Sequence, residues 1–237
     1  MPTAIRINKY LSQAGICSKR AADRLILAGQ VLVNGRLAKV GQFVFEQDRV
    51  VVDGQPIEDK PEPIYRLYHK PVGVVCTNDQ NVSGNLVDAL NYSERVFAVG
   101  RLDKASEGLL LLTNDGTIFN QILRAENAHQ KTYLVTVDQP LTQLFLSQMA
   151  SGVPILNTVT LPCDVTQVDQ ITFQIVLTQG LNLQIRRMCQ ALGYRVQRLQ
   201  RIQIMNLHLE GLQANASREL SQKEKTDLLS LLKASSS

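Results

Sequence analysis

Six residues, Gly108 to Thr113 (GLLLLT), constrain this chain more than any other stretch. The apolar run Gly108–Leu112, continued by Thr113 and closed by the turn signal Asn114-Asp115-Gly116, reads as a buried strand and is far too short to span a membrane. Its N-terminal mouth nevertheless carries Arg101, Asp103, Lys104 and Glu107. Arg101 and Asp103 are two residues apart, so in an extended segment they project to the same side. A carboxylate there is costly to ionise unless a cation or several donors face it; Arg101 and the Arg186-Arg187 pair are the candidates. The plainer alternative is that Asp103 only opens a turn at Asp-Lys-Ala-Ser. The residues alone leave both readings open.

Composition excludes several classes. With 237 residues, 44 % of them hydrophobic and 19 % charged, the chain has room for one large or two smaller globular domains. Its cysteines, Cys17, Cys76, Cys163 and Cys189, are far apart, and no CxxC pattern or tight pairing with histidine occurs. This argues against zinc ligation or a disulfide framework and for a reducing, cytoplasmic setting. The start, MPTAIRINKYL, lacks the apolar core of a signal peptide. Neither a P-loop nor a dinucleotide-binding glycine fingerprint is present. No cofactor, metal or membrane is expected, and a monomer is the default.

Charge is unevenly distributed. Residues 1–50 hold eight Lys/Arg against three Asp/Glu, and Gly180–Leu209 contains Arg186, Arg187, Arg195, Arg198 and Arg201 with no acid. Two separated basic zones suit a long polyanion, although a solvated surface would look similar.

The first zone reads as a module of its own. Ile7, Tyr10, Leu11 and Ala14 form a helical stripe that Gly15 ends. Ser18 caps a second helix through Ala21, Ala22 and Leu25 to Ala28, stopped by Gly29. The period then becomes two: Val31 and Val33 lead into Asn34-Gly35, and Val50 and Val52 into Asp53-Gly54, both hairpin signals. Gln55–Pro63, rich in proline and acid, reads as a linker. Arg6 and Lys9 on the first helix, and Lys19, Arg20 and Arg24 on the second, form basic faces with Asp23 as the lone acid before Glu46. This order of pieces, RINKYLSQAGICSKRAADRLILAGQVLVNGRLAKVGQ, resembles the S4 RNA-binding domain over about residues 5–53. The resemblance implies binding of structured RNA through Arg6, Lys9, Lys19, Arg20 and Arg24.

The remainder reads as α+β. Strands are expected around Tyr65–Thr77, interrupted by a turn or bulge at Lys70-Pro71-x-Gly73, and at Val96–Gly100, Gly108–Thr113, Lys131–Val137 and Ile171–Gly180, with helices at Leu86–Leu90, Thr117–Arg124, Leu141–Met149 and Gln184–Leu192. Lys131 and Tyr133 fall on one face of their strand. The expected domains are 1–58 and 64–233, with a mobile tail from Ala234.

Four ordered motifs resemble the pseudouridine synthases, specifically the branch of the ribosomal small-subunit synthase A type. They are HKPVG at 69–73, GRLDKASEGLLLLTNDG at 100–116, KTYLV at 131–135 and QGLNLQIRRMCQALGYRVQRLQR at 179–201. SGVPILNTVTLPC at 151–163 is most similar to the large-subunit synthase F subgroup. The resemblance implies a mixed, mainly antiparallel sheet flanked by helices, behind an S4-like helix-helix-hairpin domain. It also implies that a uridine's N1–C1′ bond is broken and the base is rejoined through C5, an isomerisation needing no redox cofactor. Asp103 then matches the essential aspartate, which attacks ribose or uracil or removes a proton; the sequence does not separate these routes. Arg186 matches the cation that pairs with it, Tyr133 the tyrosine that stacks on uracil, and Leu199 a pocket wall. Arg101, Lys131, Gln184 and Arg187 join the expected RNA contacts, and Lys70 is either structural or one more such contact, facing phosphate. Ser106 replaces a commoner threonine, and Leu183 stands where a basic or histidine side chain is usual.

Two other classes compete with this one. A catalytically silent RNA-binding or ribosome-assembly factor has no use for an aspartate among phosphates, and a metal-dependent nuclease needs more acids than Glu107 and Asp115. Large-subunit ribosomal RNA is the expected substrate, with transfer RNA as the alternative.

Overall fold

A computed structural model describes residues 4–57, 61–90, 92, 95–123 and 128–234. The chain divides into two compact units, Met1–Pro63 with Asn114–Gly116 and Ile64–Thr113 with Thr117–Ser237.

In the first unit, helices Ile7–Gln13 and Lys19–Leu27 bury Ile7, Leu11, Ala22 and Ile26 against Val31, Val33, Val50 and Val52. Ser18 caps the second helix, its hydroxyl accepting the Ala21 N–H at 3.1 Å. Leu27 lies outside the expected stripe and is 78 % exposed. Asn34 and Gly35 both take positive φ, which lets Val31–Val33 fold back on Arg36–Leu37 in a two-residue hairpin. Gln55–Pro56 is not linker: it pairs with Val51–Val52, and Ile57 packs against the core. Of the rest of the expected linker, Glu58–Lys60 lies outside the described residues, as do Arg124 and Ser235–Ser237; Ala234, where the expected tail begins, ends helix Gln222–Ala234.

The second unit is built on a mixed sheet, nine strands among the described residues. Across it run Asp164–Gln167, Thr172–Leu177, Lys131–Val137, Val196–Ile204, Glu107–Thr113, Tyr65–Lys70 and Ser217–Glu219, with Leu207–His208 and Phe97–Val99 attached beside the path. Every pairing is antiparallel except the contact of Gln200-Arg201 with Glu107-Gly108.

The apolar run does not alternate because both its faces are covered. Leu109 and Leu111 pack with Ile118 and Ile122 of helix Gly116–Leu123 and with Leu228 and Leu232 of helix Gln222–Ala234. Leu110 and Leu112 face Tyr68, Leu86, Val96 and Leu102. One edge of this strand is shared: its first two residues meet Val196–Ile204, and its last three meet Phe97–Val99. A further core joins Phe145 and Met149 of helix Gln143–Ser151, and Ile185, Met188 and Cys189 of helix Gln184–Ala191, to Val135, Phe173 and Leu199. The Gln143–Ser151 helix starts two residues later than its periodicity suggests because Thr142 is the cap, its hydroxyl accepting the Phe145 N–H at 3.1 Å.

Candidate active site

Where these two cores meet, a cavity of about 310 Å³ opens, with Leu177, Ile185 and Leu199 on one side and Val99, Ile122 and Ile204 on the other. The loop after Phe97–Val99 forms its rim. Gly100 turns the chain with φ +78°, and Leu102, almost buried, pins the loop by donating its N–H to the Cys76 sulfur at 3.4 Å. Asp103 to Ser106 closes as a turn, the Ser106 N–H donating to the Asp103 carbonyl at 3.0 Å. The Gly73 N–H holds the Lys104 carbonyl from outside at 2.8 Å. Asp103 therefore opens a turn, and with Arg101 it lines the cavity.

Asp103 is the only acid among the lining residues, against the cations Arg101, Lys131 and Arg201. Tyr133 stands on the wall, paired across the sheet with Arg201. Leu199 lines the wall as expected, and the exposed Leu183 sits at the opening with a left-handed φ of 51°.

The structure gives four of the expected site residues partners within the fold. Arg186 forms no ion pair with Asp103 among the described residues. It donates instead to the Ala105 carbonyl at 2.9 Å and to the Ser106 hydroxyl at 3.1 Å, so it braces the turn that carries Asp103. The hydroxyl that serine shares with threonine at this position thus has a partner. Lys70 has no exposed surface and donates to the Pro71 carbonyl, so it cannot reach a phosphate outside the fold. Burial pushes its ammonium below the ordinary range, while Cys76, Asp103 and Glu107 pull it back up; it is a buried cation within the field of Asp103. Gln184 is nearly buried and spends its amide inside the loop, accepting from the Leu181 N–H at 2.9 Å and donating to Gln179. Lys131 faces inward, its ammonium on the His129 carbonyl at 2.9 Å.

Arg187 braces the same loop through Asn182, while Arg101 is exposed at the rim. Sequence reasoning missed the bond from Arg198 to Glu107 (2.5 Å) and the inward course of Arg201, which is 2 % exposed and donates to the Leu109 carbonyl at 2.7 Å. Its place two residues after the wall residue Leu199 was the available signal.

In the first unit, Arg6, Lys9, Lys19, Arg20 and Arg24 are all exposed. Arg6 belongs to the strand before the first helix, its guanidinium 5.8 Å from the Phe43 ring centre. Asp23 is taken up by Asn8 at 3.0 Å, and among the described residues no carboxylate pairs with any of the five. No group of three or more metal-ligating side chains and no helix long and apolar enough to cross a membrane occurs among the described residues.

Comparison with known proteins matches residues 64–191 to the RNA pseudouridylate synthase family and residues 5–50 to the S4 domain. The chain is 48 % identical over 237 residues to the dual-specificity RNA pseudouridine synthase RluF of Escherichia coli K12, covering 99 % of this chain and 82 % of that protein. It is 32 % identical over 228 residues to the ribosomal large subunit pseudouridine synthase B of Bacillus subtilis, covering 92 % and 93 %. A crystal structure of a pseudouridylate synthase superposes with a TM-score of 0.71 at 27 % identity, covering 94 % of this chain and 99 % of that one.

Proposed function

Because the chain belongs to the RNA pseudouridylate synthase family and carries an S4 domain ahead of the synthase domain, we propose that it isomerises a uridine of large-subunit ribosomal RNA through Asp103. That the protein is an RNA pseudouridine synthase follows from the family and from its near-full-length likeness to RluF. Residues 64–233 hold the chemistry, residues 1–58 hold RNA, and the enzyme works as a cytoplasmic monomer.

The observation that carries the assignment is a cavity with one carboxylate and three cations around an apolar wall. A uridine reaching it must leave its stack, and the exposed Arg101 at the rim fills the place the base vacates. Tyr133 offers a flat face to the uracil beside Leu199. Asp103 must be ionised to begin the exchange of bonds. Arg186 fixes the turn so that the carboxylate meets the bound uridine in one geometry. The product is an isomer of the substrate, so no electrons need a carrier.

The B. subtilis relative's name supports a large-subunit target. The dual specificity named for the E. coli relative favours a second RNA class as well, and transfer RNA is the one to test. The test is pseudouridine mapping in ribosomal and transfer RNA from cells lacking the protein, after incubation with wild type or Asp103→Asn. A new site in large-subunit RNA with wild type alone is expected. A site confined to transfer RNA would overturn the substrate, and turnover by Asp103→Asn would overturn the residue.

A further inference from the structure

The cavity floor holds two cations that the account above leaves without a task. In the sheet, Tyr133 lies opposite Arg201, and Lys131 lies opposite both Ile204 and Leu177. Directly opposed residues of an antiparallel pair share a face, and all five line the cavity. Arg201 and Ile204 are three apart and would normally point to opposite faces. The register shift between Thr132 and Tyr133, which passes over Ile202, brings both to the same side.

Arg201 is 2 % exposed, and only part of its guanidinium is engaged. Nε donates to the Leu109 carbonyl, whereas Nη2 is buried without a partner. Lys131 stands close enough that the Arg201 charge, after burial, helps push its ammonium down to about 8. Among the described residues neither cation has a carboxylate partner. A buried donor without a partner costs free energy of order 1–3 kcal/mol, more when charged, so such a group asks for a ligand. Arg201 Nη2 is such a group, and Lys131, its ammonium held by the His129 and Thr178 carbonyls, sets a second positive charge beside it; together they ask for a negative one.

We propose that Arg201 Nη2 and Lys131 Nζ form the anion hole that takes up the negative charge of the detached uracil, making both catalytic residues of this enzyme. The inference rests on the placement of the reaction at Asp103. When the N1–C1′ bond breaks, its electron pair stays with the ring, and the charge spreads from N1 onto the two carbonyl oxygens. The ring turns and gives that electron pair to a new C5–C1′ bond; the C5 proton then passes to the Asp103 carboxylate and N1 takes a proton from water, so the charge exists only between the two bonds. Fixed donors aimed at a transient charge lower the barrier more than they tighten the ground-state complex. The same hole holds the free base against escape while it turns.

The test uses the full-length enzyme in excess over total RNA from cells lacking the protein, so the measurement works whichever RNA carries the site. Single-turnover conversion, RNA affinity by filter retention and thermal stability are followed for Arg201→Ala, Lys131→Met and Asp103→Asn. Arg201→Ala and Lys131→Met should each slow conversion by about 100-fold and leave RNA affinity unchanged. Free guanidinium at millimolar concentration should restore part of the rate to Arg201→Ala and none to Asp103→Asn. A wild-type rate in either cation variant overturns the anion hole. So does an affinity loss that fully accounts for the slower conversion, which would identify a phosphate contact. If Arg201→Ala fails to fold, Lys131→Met decides alone, because its ammonium holds only loop carbonyls. Full turnover by Asp103→Asn would mark a different failure, that of the site itself.

Discussion

Gly108 shows how much a single residue can control here. It opens the apolar strand with φ +113°, and a Cβ built on it would stand 2.3 Å from the Arg201 carbonyl oxygen and 2.6 Å from the Arg201 nitrogen. No side chain fits that gap, so glycine permits the one parallel contact of the sheet and, through it, the position of Arg201. Gly108→Ala combines a left-handed backbone with overpacking and should destabilise the synthase domain by on the order of 3 kcal/mol. At a few degrees per kcal/mol for a domain of this size, that is a fall in Tm of roughly 10 °C. A thermal scan with unchanged Tm would mean the two strands have slack that the geometry does not show. The sequence announces this strand through its leucines and Asp103 through its motif. It does not announce the backbone angle of Gly108 or the burial of Lys70, because both are set by strands distant in sequence. Arg186 makes the same point. Its identity is legible, but its hold on Ala105 and Ser106 in place of the Asp103 carboxylate depends on where helix Gln184–Ala191 comes to rest.

Elements whose stabilising contacts are local were the easier ones to read. The paired turns at Asn34-Gly35 and Asp53-Gly54 carry their own conformational instruction, and Ser18 caps its helix as its position implies. The C-terminal helix has an equally local signature that the sequence reading passed over, Ser-x-x-Glu at Ser221–Glu224. The Ser221 hydroxyl accepts the Glu224 N–H at 3.2 Å, and the Glu224 carboxylate accepts the Ser221 N–H at 2.8 Å. Both carboxylate oxygens also accept from Arg218 at 2.7 Å, which ties the helix to the Ser217–Glu219 strand. That bond from Arg218, ahead of the capping bonds, draws the Glu224 carboxyl from its ordinary 4.5 down to about 2. A carboxyl lowered on folding contributes stability that is complete above the unfolded value and is lost as pH falls toward the folded one. Glu224→Gln should therefore be less stable than wild type at neutral pH, and the gap should close between about pH 4.5 and 2. The carboxylate lies at the solvent edge, with its side chain 22 % exposed, so the gap is about 1 kcal/mol or less. Denaturation of both proteins across that range checks the sign, and a gap that widens in acid would remove the ion pair from the account. The bulge at Ile202 is the opposite kind of feature. Nothing near it in sequence marks it, yet it decides which residues of Val196–Ile204 face the cavity.

On the scale of the whole molecule, the chain separates chemistry from grip. The net charge of +4 is too small to describe the RNA-binding surface. What matters is that Arg6, Lys9, Lys19, Arg20 and Arg24 stand in solvent with no acid paired to them among the described residues, while Lys70, Lys131, Arg186, Arg187 and Arg201 of the synthase unit are turned inward or engaged in loops. Exposed unpaired cations hold a polyanion by releasing its counterions, so their number appears in the salt dependence of binding. Each phosphate contact contributes a slope of about −0.9 at the charge density of B-DNA and about −0.7 on a single strand. Replacing Lys19, Arg20 and Arg24 by glutamine in the full-length protein should weaken RNA binding and flatten that slope by about 2 to 3. The single-turnover rate at saturating enzyme should stay near wild type, because none of the three belongs to the cavity. A Kd titration over a series of salt concentrations, paired with one rate measurement, tests both halves. An unchanged slope would make the second helix an ordinary solvated face. A slower saturated rate would mean that the S4 unit helps place the uridine at Asp103 as well as holding the RNA.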